Sequence, residues 1–594
     1  MIKTWRVRPT TSETEFNYPS ALLRQLLVGR GLASHDEAEK FLNPDYERDL
    51  HDPFLMTDMD RAVERIMKAI KKNEKIAIYA DYDADGVPGA AIVSSFFNQI
   101  GFENFLVYIP DRHMEAYGLN DLALGALAQK GVKLVVTVDC GVTDVGPVAE
   151  ANRLGLEVII TDHHLVPETL PAAYAIVNPK RSGDEYPYKM LAGAGVAFKL
   201  VQALSRWDNF RVFTRQAGSD ADENSPSAPA KNFSPASAQA FEKWLLDLVA
   251  IATVSDMVPL TGENRALVHF GLKVLRRTRR PGLRALAQVL KLNLPFIAED
   301  DIGFMIGPRL NSASRMSHGD EAYALLMATD EVEAERLAYH LEGKNKERRA
   351  SVTQILEAAG EGGAGGVLLL GDPSWSLGVL GLAASRLVEE RRQPVFLWGK
   401  NGNGTLKGSC RSDGTVNIVE LMKLADELAP PKAGLGGKLF TNYGGHAQAG
   451  GFSIEPKNLS KLEPSLNAAY AALEKLPTDG GDIYYDLELP FDIISHDTHR
   501  ILDQLAPFGV ENHKPVFYFP KLPLASKKFF GNGTKHLELT FPHPDLGTVK
   551  AIKFFVPDGL PQGKEIDLLA TLEKSYFRNR PELRLRIIDW REVI

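Results

Sequence analysis

The sequence predicts a multidomain α/β protein: a first domain on a parallel sheet, a long connecting helix, a second α/β domain, and a C-terminal β-barrel of the OB-fold kind. Three observations predict it. Between residues 75 and 164, apolar runs (KIAIYA, ENFLVYIP, KLVVTV, LEVIIT) alternate with helical stretches, the pattern of a parallel sheet covered on both faces. A second strand–helix–strand unit begins at Val367, with VLLLGDPSW, VLGLAASRLVEE and PVFLW. From about Ile483 the pattern becomes short alternating strands without helical repeats, among them PVFYFP, HLELTF, VKAIKFFV and ELRLRIIDW.

Length and composition agree with this division. A chain of 594 residues is too long for one hydrophobic core, and 44% hydrophobic with 24% charged residues is ordinary for a globular protein. A net charge of −8 argues against a basic coat but leaves room for a local basic groove. No apolar run reaches the roughly 18 residues of a membrane span, and MIKTWRVRPTTSETEF lacks the apolar centre of a secretory signal. Cys140 and Cys410 are the only cysteines, so no disulfide framework is expected and a reducing cytoplasm is the default location.

In chain order, residues 1–60 read as an N-terminal helical entry, with SALLRQLLVGRGL and HDEAEKFLNP ended by Gly and Pro. The first domain spans 61–325, entered by a basic helix over 59–72. It carries helices over 120–130 and 145–154, then an apolar helix from LAGAGVAF to about Phe213. The glycines there are a weak signal for a binding loop, because small residues equally allow close helix packing. Residues 216–238 almost lack large apolar groups and read as a disordered surface insertion. LLDLVAIATVSDMVPL then reads as a helix ending near Ser255 and Asp256. Residues 326–362 form the connecting helix and the glycine hinge GEGGAGG, 363–475 the second α/β domain, and 480–594 the barrel.

The chemistry gathers at strand ends. The first strand runs into Asp81, Asp83 and Asp85, then Gly86. Three crowded carboxylates repel one another at neutral pH unless a cation sits among them, and oxygen ligands suit Mg²⁺ or Mn²⁺. D-x-D-x-D-G also opens an EF-hand loop, but that loop needs a preceding helix and a Glu at its twelfth position. Here a strand precedes, and the twelfth position is Ile92. The strand VVTV delivers Asp139, and VII delivers Asp162, His163 and His164. A lone Asp after a strand is ordinarily a helix cap and a lone His ordinarily core or surface; three coincident strand ends point to metal. Asp256 is a candidate final ligand. GPRLNSASRM (307–316) sets Arg309 and Arg315 among Gly, Pro, Asn and Ser, a composition suited to gripping phosphate and equally to surface arginines in a loop.

The ordered set DYDADG, VDCG, TDHH, LAGAGVAFKL, VSDMVPL, GPRLN and YGGHAQAGG resembles the DHH phosphoesterases, and within them the RecJ-type 5′→3′ exonucleases. LAPFGVENHKPVF (505–517) resembles their approach to the OB-fold. The resemblance implies a DHH catalytic domain, a DHH-associated domain and an enzyme that hydrolyses single-stranded DNA to mononucleotides in repair and recombination. It implies two ions, Mn²⁺ or Mg²⁺, held by Asp83, Asp85, Asp139, His163 and Asp256, with Asp139 as the bridge. Asp81, Asp162 and His164 are implied as close ligands or as groups orienting the ligands. Arg112, Ser409 and Arg411 are expected to form a pocket for the terminal 5′-phosphate. Arg309, Asn311, Arg315, Gly444, Gly445 and His446 are expected to contact the scissile phosphate or its neighbours. Expected partners are single-stranded DNA, with a single-strand-binding protein and a helicase as further candidates; no membrane is expected, and the chain is expected to be a monomer. The chain departs from the family pattern at Pro88 (usually Thr), Ala116 (Gly), Ser255 (Ala), Ser376 (His) and Gly450 (Ala), none of them an implied ligand. The alternatives are a nanoRNase or cyclic-dinucleotide phosphodiesterase of the same superfamily, and a non-catalytic replication scaffold.

Overall fold

The apolar runs of the first domain form five strands: β1 (Lys75–Ala80), β2 (Phe105–Tyr108), β3 (Val132–Val138), β4 (Glu157–Thr161) and β5 (Ala175–Val177). The computed structural model describes residues 4–9, 18, 20–115, 117–207, 235–360, 366–401, 404–429, 438–476, 481–531, 536–554, 556, 561–575 and 581–593. The sheet order is β2-β1-β3-β4-β5 and every pairing is parallel, so all carboxyl ends lie along one edge. The order reverses between β1 and β3, the switch point at which open α/β sheets collect ligands. Ile76 to Ala80 and Leu134 to Val138 are fully buried, as strands covered on both faces must be. On one face pack the helices Gly86–Gln99, Gly193–Arg206 and Leu246–Ser255, in a core holding Ile78, Phe96, Phe198 and Val249. Each buried phenylalanine there contributes about 1.5–3 kcal/mol of transfer free energy. On the other face, Tyr79, Val135 and Val158 meet Leu124 and Leu127 of the helix Asp121–Gln129 and Val148 of the helix Val145–Arg153.

Three expectations change here. The helix opened by LAGAG stops at Arg206 rather than near Phe213. Of the expected insertion, 216–234 lies outside the described residues, but Pro235 starts the helix Pro235–Trp244, with Ala238 buried. Proline suits a first helical turn, and the helix gains stability by turning Ala238 and Phe241 onto the core. The segment 307–316 is not a loop but the helix Gly307–Met316, with proline in its first turn, following a π-helical turn at Ile302–Ile306.

The helix Glu331–Ala358, capped by Asp330, leads toward the second unit; residues 361–365 of the expected hinge lie outside the described residues. The second unit's strands are β6 (Leu368–Gly371), β7 (Val395–Lys400), β8 (Leu406–Arg411), β9 (Asn442–His446) and β10 (Ala449–Ile454), in the order β9-β10-β8-β7-β6. Only β6 and β7 are parallel neighbours. Ile355 of the long helix packs with Val379 and Leu380 of the helix Leu377–Arg391, tying this sheet to the first domain.

The third sheet holds β11 (Leu487–Glu488), β12 (Phe517–Pro523), β13 (Ser526–Phe530), β14 (His536–His543), β15 (Gly547–Lys553), β16 (Glu565–Ser575) and β17 (Glu582–Glu592). Its order is β11-β12-β16-β17-β15-β14-β13, and among the described residues no pairing joins β11 to β13. It curls over a core of Phe517, Phe519, Leu539, Phe541, Ile566 and Leu585. The strand Ile483–Tyr485 pairs instead with Trp5–Val7, as a separate parallel pair. Leu23, Leu26 and Leu27 of the N-terminal helix enter this same C-terminal core, while Tyr46 and Met56 enter the first domain's. Arg265, buried in the helix Gly262–Leu275, donates to the carbonyls of Phe41, Leu505 and Ala506 at 2.8 to 2.9 Å, so one guanidinium fastens three parts of the chain. Among the described residues no helix is long and apolar enough to cross a membrane.

Candidate metal centre

β1 delivers the first carboxylates. The Asp81 amide donates to the Val138 carbonyl at 3.1 Å, continuing the ladder, and the chain then turns. Asp83 Oδ1 accepts from the amides of Asp85 at 2.8 Å and Gly86 at 3.2 Å. A Cβ on Gly86 would stand 2.4 Å from the Asp81 carbonyl oxygen, so this turn requires glycine. The Asp85 carboxylate accepts from the amides of Gly193 at 2.6 Å and Ala194 at 2.7 Å, at the N-terminus of the helix Gly193–Arg206. A Cβ on Gly193 would stand 2.5 Å from Asp139 Oδ1. The small residues of LAGAG therefore let carboxylates from two strands approach one helix end.

Asp139 follows β3 in the left-handed region, with φ 63°. That conformation costs a residue with a side chain roughly 1–2 kcal/mol, and strain of this kind collects at functional sites. The Asp139 amide donates to the Thr161 carbonyl at 3.0 Å, and its carbonyl accepts from the Tyr117 hydroxyl at 2.9 Å. Its Oδ1, like Asp81 Oδ1, is buried without a hydrogen-bond partner among the described residues. His163 Nε2 lies 3.2 Å from Asp139 Oδ1, 3.6 Å from Asp256 Oδ2 and 3.7 Å from Asp85 Oδ2. Three sets each bring one ligand atom per residue within 4.8 Å of the others: Asp81, Asp83 and Asp139; Asp139, His163 and His164; Asp85, His163 and Asp256. Asp139 and His163 each belong to two sets.

The electrostatics fit divalent cations. Burial, then Asp83, holds Asp81 well above the usual carboxylate range; burial, then Asp256, does so for Asp85, and burial, then Asp85, for Asp139. Burial, then Asp83, pushes Asp256 to about 7. Without positive charge among them these carboxyls resist ionising together. Burial, then His164, lowers His163 to about 4, which keeps its imidazole neutral and able to ligate.

Asp162, implied as a close ligand or as an orienting group, differs from the other carboxylates and belongs to none of the three sets. Its Oδ1 accepts from the His163 and His164 amides and lies 2.8 Å from His164 Nδ1, while its Oδ2 accepts from the Val142 amide. Burial opposes its charge, but those donors hold it below the usual carboxylate range. Asp162 orients His164.

Beside this cluster the Arg112 guanidinium lies over the Tyr82 ring, 4.8 Å from its centroid. Arg112 and His113, the start of the helix Leu377–Arg391, and Lys407, Gly408 and Ser409 of β8 line a cavity of about 140 Å³. Arg112, Lys407 and the helix N-terminus bring positive charge and backbone donors to this cavity, the features an anion would require. Arg411 is not in the lining: it donates to Ser385 Oγ, Ser409 Oγ and the Cys410 carbonyl, and so holds Ser409 in place. Arg309 is buried and pairs with Glu342 at 2.9 Å while donating to the Met305 carbonyl, a bond between helices. Asn311 Oδ1 accepts from the Ala84 amide at 2.9 Å and steadies the aspartate turn. Arg315 donates to the Gly378 carbonyl at 3.1 Å, and burial, then Arg112, lowers it to about 9. Gly444, Gly445 and His446 lie exposed on the edge strand β9, paired with β10.

Sequence reasoning passed over Tyr82, Tyr117, His113, Lys407 and Lys180. Lys407 had a signal, since Lys407, Ser409 and Arg411 alternate along one strand face while Leu406 and Cys410 are buried on the other. Lys180, half-buried and attracted to Asp256 and Asp162, had none.

Residues 75–253 match the DHH family, N-terminal domain; 352–472 match the DHHA1 domain; 485–589 match the RecJ OB domain. The chain is 33% identical over 590 residues to the single-stranded-DNA-specific exonuclease RecJ of Bacillus subtilis, spanning 97% of this chain and 69% of that protein. It is 32% identical over 583 residues to that of Escherichia coli, spanning 96% and 95%. The crystal structure of RecJ from Thermus thermophilus in complex with Mn²⁺ superimposes with a TM-score of 0.75 at 25% identity, over all of this chain and 80% of that one.

Proposed function

Because this chain belongs to the RecJ family, we infer that it is a single-stranded-DNA-specific exonuclease that hydrolyses the strand from its 5′ end. The observation that carries the reading is Asp139, a residue of left-handed backbone whose carboxylate belongs to two of the three ligand sets at the sheet's switch point. The residues fit two divalent cations, Mn²⁺ or Mg²⁺. When bound, such a pair supplies the Lewis acidity that makes a water nucleophilic and neutralises charge on the phosphate and leaving oxygens.

Asp81, Asp83 and Asp139 would hold one ion, and Asp85, His163 and Asp256 the other, with His164 close by and Asp139 shared. The helix Gly193–Arg206 steadies Asp85, and Asp162 fixes the ring of His164. The cavity of Arg112, Lys407 and Ser409 takes the terminal 5′-phosphate, with Arg411 holding Ser409. That seats the strand's 5′ end beside the ligand cluster and directs attack to that end. Arg315 adds charge next to Arg112, and Gly444, Gly445 and His446 offer backbone and imidazole donors from the second unit. A single-strand-binding protein and a helicase suit an enzyme whose substrate must be presented unpaired. The buried thiols Cys140 and Cys410 suit a reducing cytoplasm. A monomer is the simplest state, and repair and recombination the setting.

A phosphodiesterase of short substrates has no use for a third sheet packed into the body of the molecule, and a scaffold has no use for a complete ligand set. The test is digestion of 5′-labelled and 3′-labelled single strands, duplex and short RNA with Mn²⁺, Mg²⁺ or chelator. The 5′ label is expected to appear first, as mononucleotide, only on single strands and only with metal. Preference for dinucleotides or short RNA would move the phosphodiesterase reading ahead.

A further inference from the structure

The carboxylate–histidine cluster and the arginine-lined cavity present polar groups suited to phosphate, and the partly exposed ring of Tyr117 borders His164. Two large apolar side chains stand exposed beside them. Met257 directly follows Asp256 and is 71% exposed; Leu165 directly follows His164 and is 75% exposed. Asp256 lies 3.6 Å from His163, and the rings of His163 and His164 are 4.6 Å apart, so both apolar residues leave one cluster.

Met257 is marked again by its backbone. It follows the C-cap of the helix Leu246–Ser255 with φ 59°, at the position where helices ordinarily end on glycine. A methionine there holds a strained conformation and projects a long, unbranched thioether into solvent beside the ligands.

We propose that Met257, with Leu165, forms an apolar lip that receives the nucleobase of the nucleotide at the metal centre. Both are positioning residues for the reaction, and the proposal rests on the exonuclease reading above. With phosphates drawn to the metals and to Arg112, the bases must turn toward the rim. A polarizable thioether packs against any aromatic ring face, and a contact of that kind is indifferent to sequence.

The test uses the full chain with Mn²⁺ and 5′-phosphorylated oligonucleotides, natural or with one abasic residue at the first, second or third position. Met257→Gly removes the side chain and leaves a residue at ease in the left-handed region. Its thermal midpoint should be equal or higher, its KM on the natural strand about fivefold higher, and its kcat little changed. On the strand whose abasic residue falls at the lip, wild type and variant should have the same KM. Leu165→Ser, in an exposed loop, should show the same pattern. An unchanged KM in both variants overturns the proposal. So does an equal penalty on every abasic strand, which would be a backbone effect. Wild type that leaves the natural strand intact overturns the exonuclease reading itself, and the proposal with it.

Discussion

Two buried aspartates at one sheet edge are treated in opposite ways. Asp162 is saturated with donors and held ionised, while Asp139 is left with a bare oxygen and held toward its neutral form. The difference suits Asp139, and not Asp162, to hold a cation, and it yields a pH prediction. Asp81, Asp85 and Asp139 are raised, and Asp256 reaches about 7. An unfolded aspartate titrates near about 3.9. A carboxyl raised by folding contributes stability that is full below its unfolded value and lost as pH rises through its folded value. The chelated protein is therefore expected to lose thermal stability from about pH 4 upward through about pH 7. Mn²⁺ should restore more of the midpoint at pH 8 than at pH 5. Scanning calorimetry with and without chelator checks this, and an equal Mn²⁺ gain at both pH values would contradict it. The aspartates were legible in the sequence because they cluster after apolar runs. The resemblance left Asp162 open between ligand and orienting group, because most of its donors are backbone amides that composition does not display.

Among the elements, the strands and their order of use were legible from alternation of apolar runs and helices. The helix at Gly307–Met316 was not, because its Gly, Pro, Asn and Ser are weak helix formers and its stability comes from burial of Leu310 and Ala313. Arg309 takes its surroundings from that helix, where it faces and pairs with Glu342. The anion cavity is likewise made by elements meeting, the start of the helix Leu377–Arg391 against β8 and the Arg112 turn. Arg112→Ala should lower kcat/KM on 5′-phosphorylated strands by about ten- to a hundredfold, the worth of a charge-assisted contact. Strands with a 5′-hydroxyl should change by less than about threefold. Arg411→Ala should show the same selectivity with a smaller loss, since Arg411 acts through Ser409. An equal loss on both kinds of end, measured by initial rates, would make the cavity a general backbone contact.

At the scale of the molecule, division into sheet-based units was legible, but the way they interlock was not. The N-terminal helix carrying Leu23, Leu26 and Leu27 completes the core of the C-terminal sheet, so the chain's two ends are packed together. Arg265 binds this region to the first domain through backbone carbonyls, which leave no complementary side chain for a sequence to reveal. Such interlocking places the metal centre, the anion cavity and the third sheet in one body, as an enzyme threading a polymer requires. The proposed site rests on Asp139 as a carboxylate common to two of the three ligand sets. The direct test is the stoichiometry of Mn²⁺ binding by titration calorimetry, on wild type and on Asp139→Ala. Wild type is expected to bind two Mn²⁺ per chain, and Asp139→Ala fewer than one, with hydrolysis lost and single-strand binding largely kept. Two Mn²⁺ still bound by Asp139→Ala, or hydrolysis within about tenfold of wild type, would contradict a site built on a shared carboxylate.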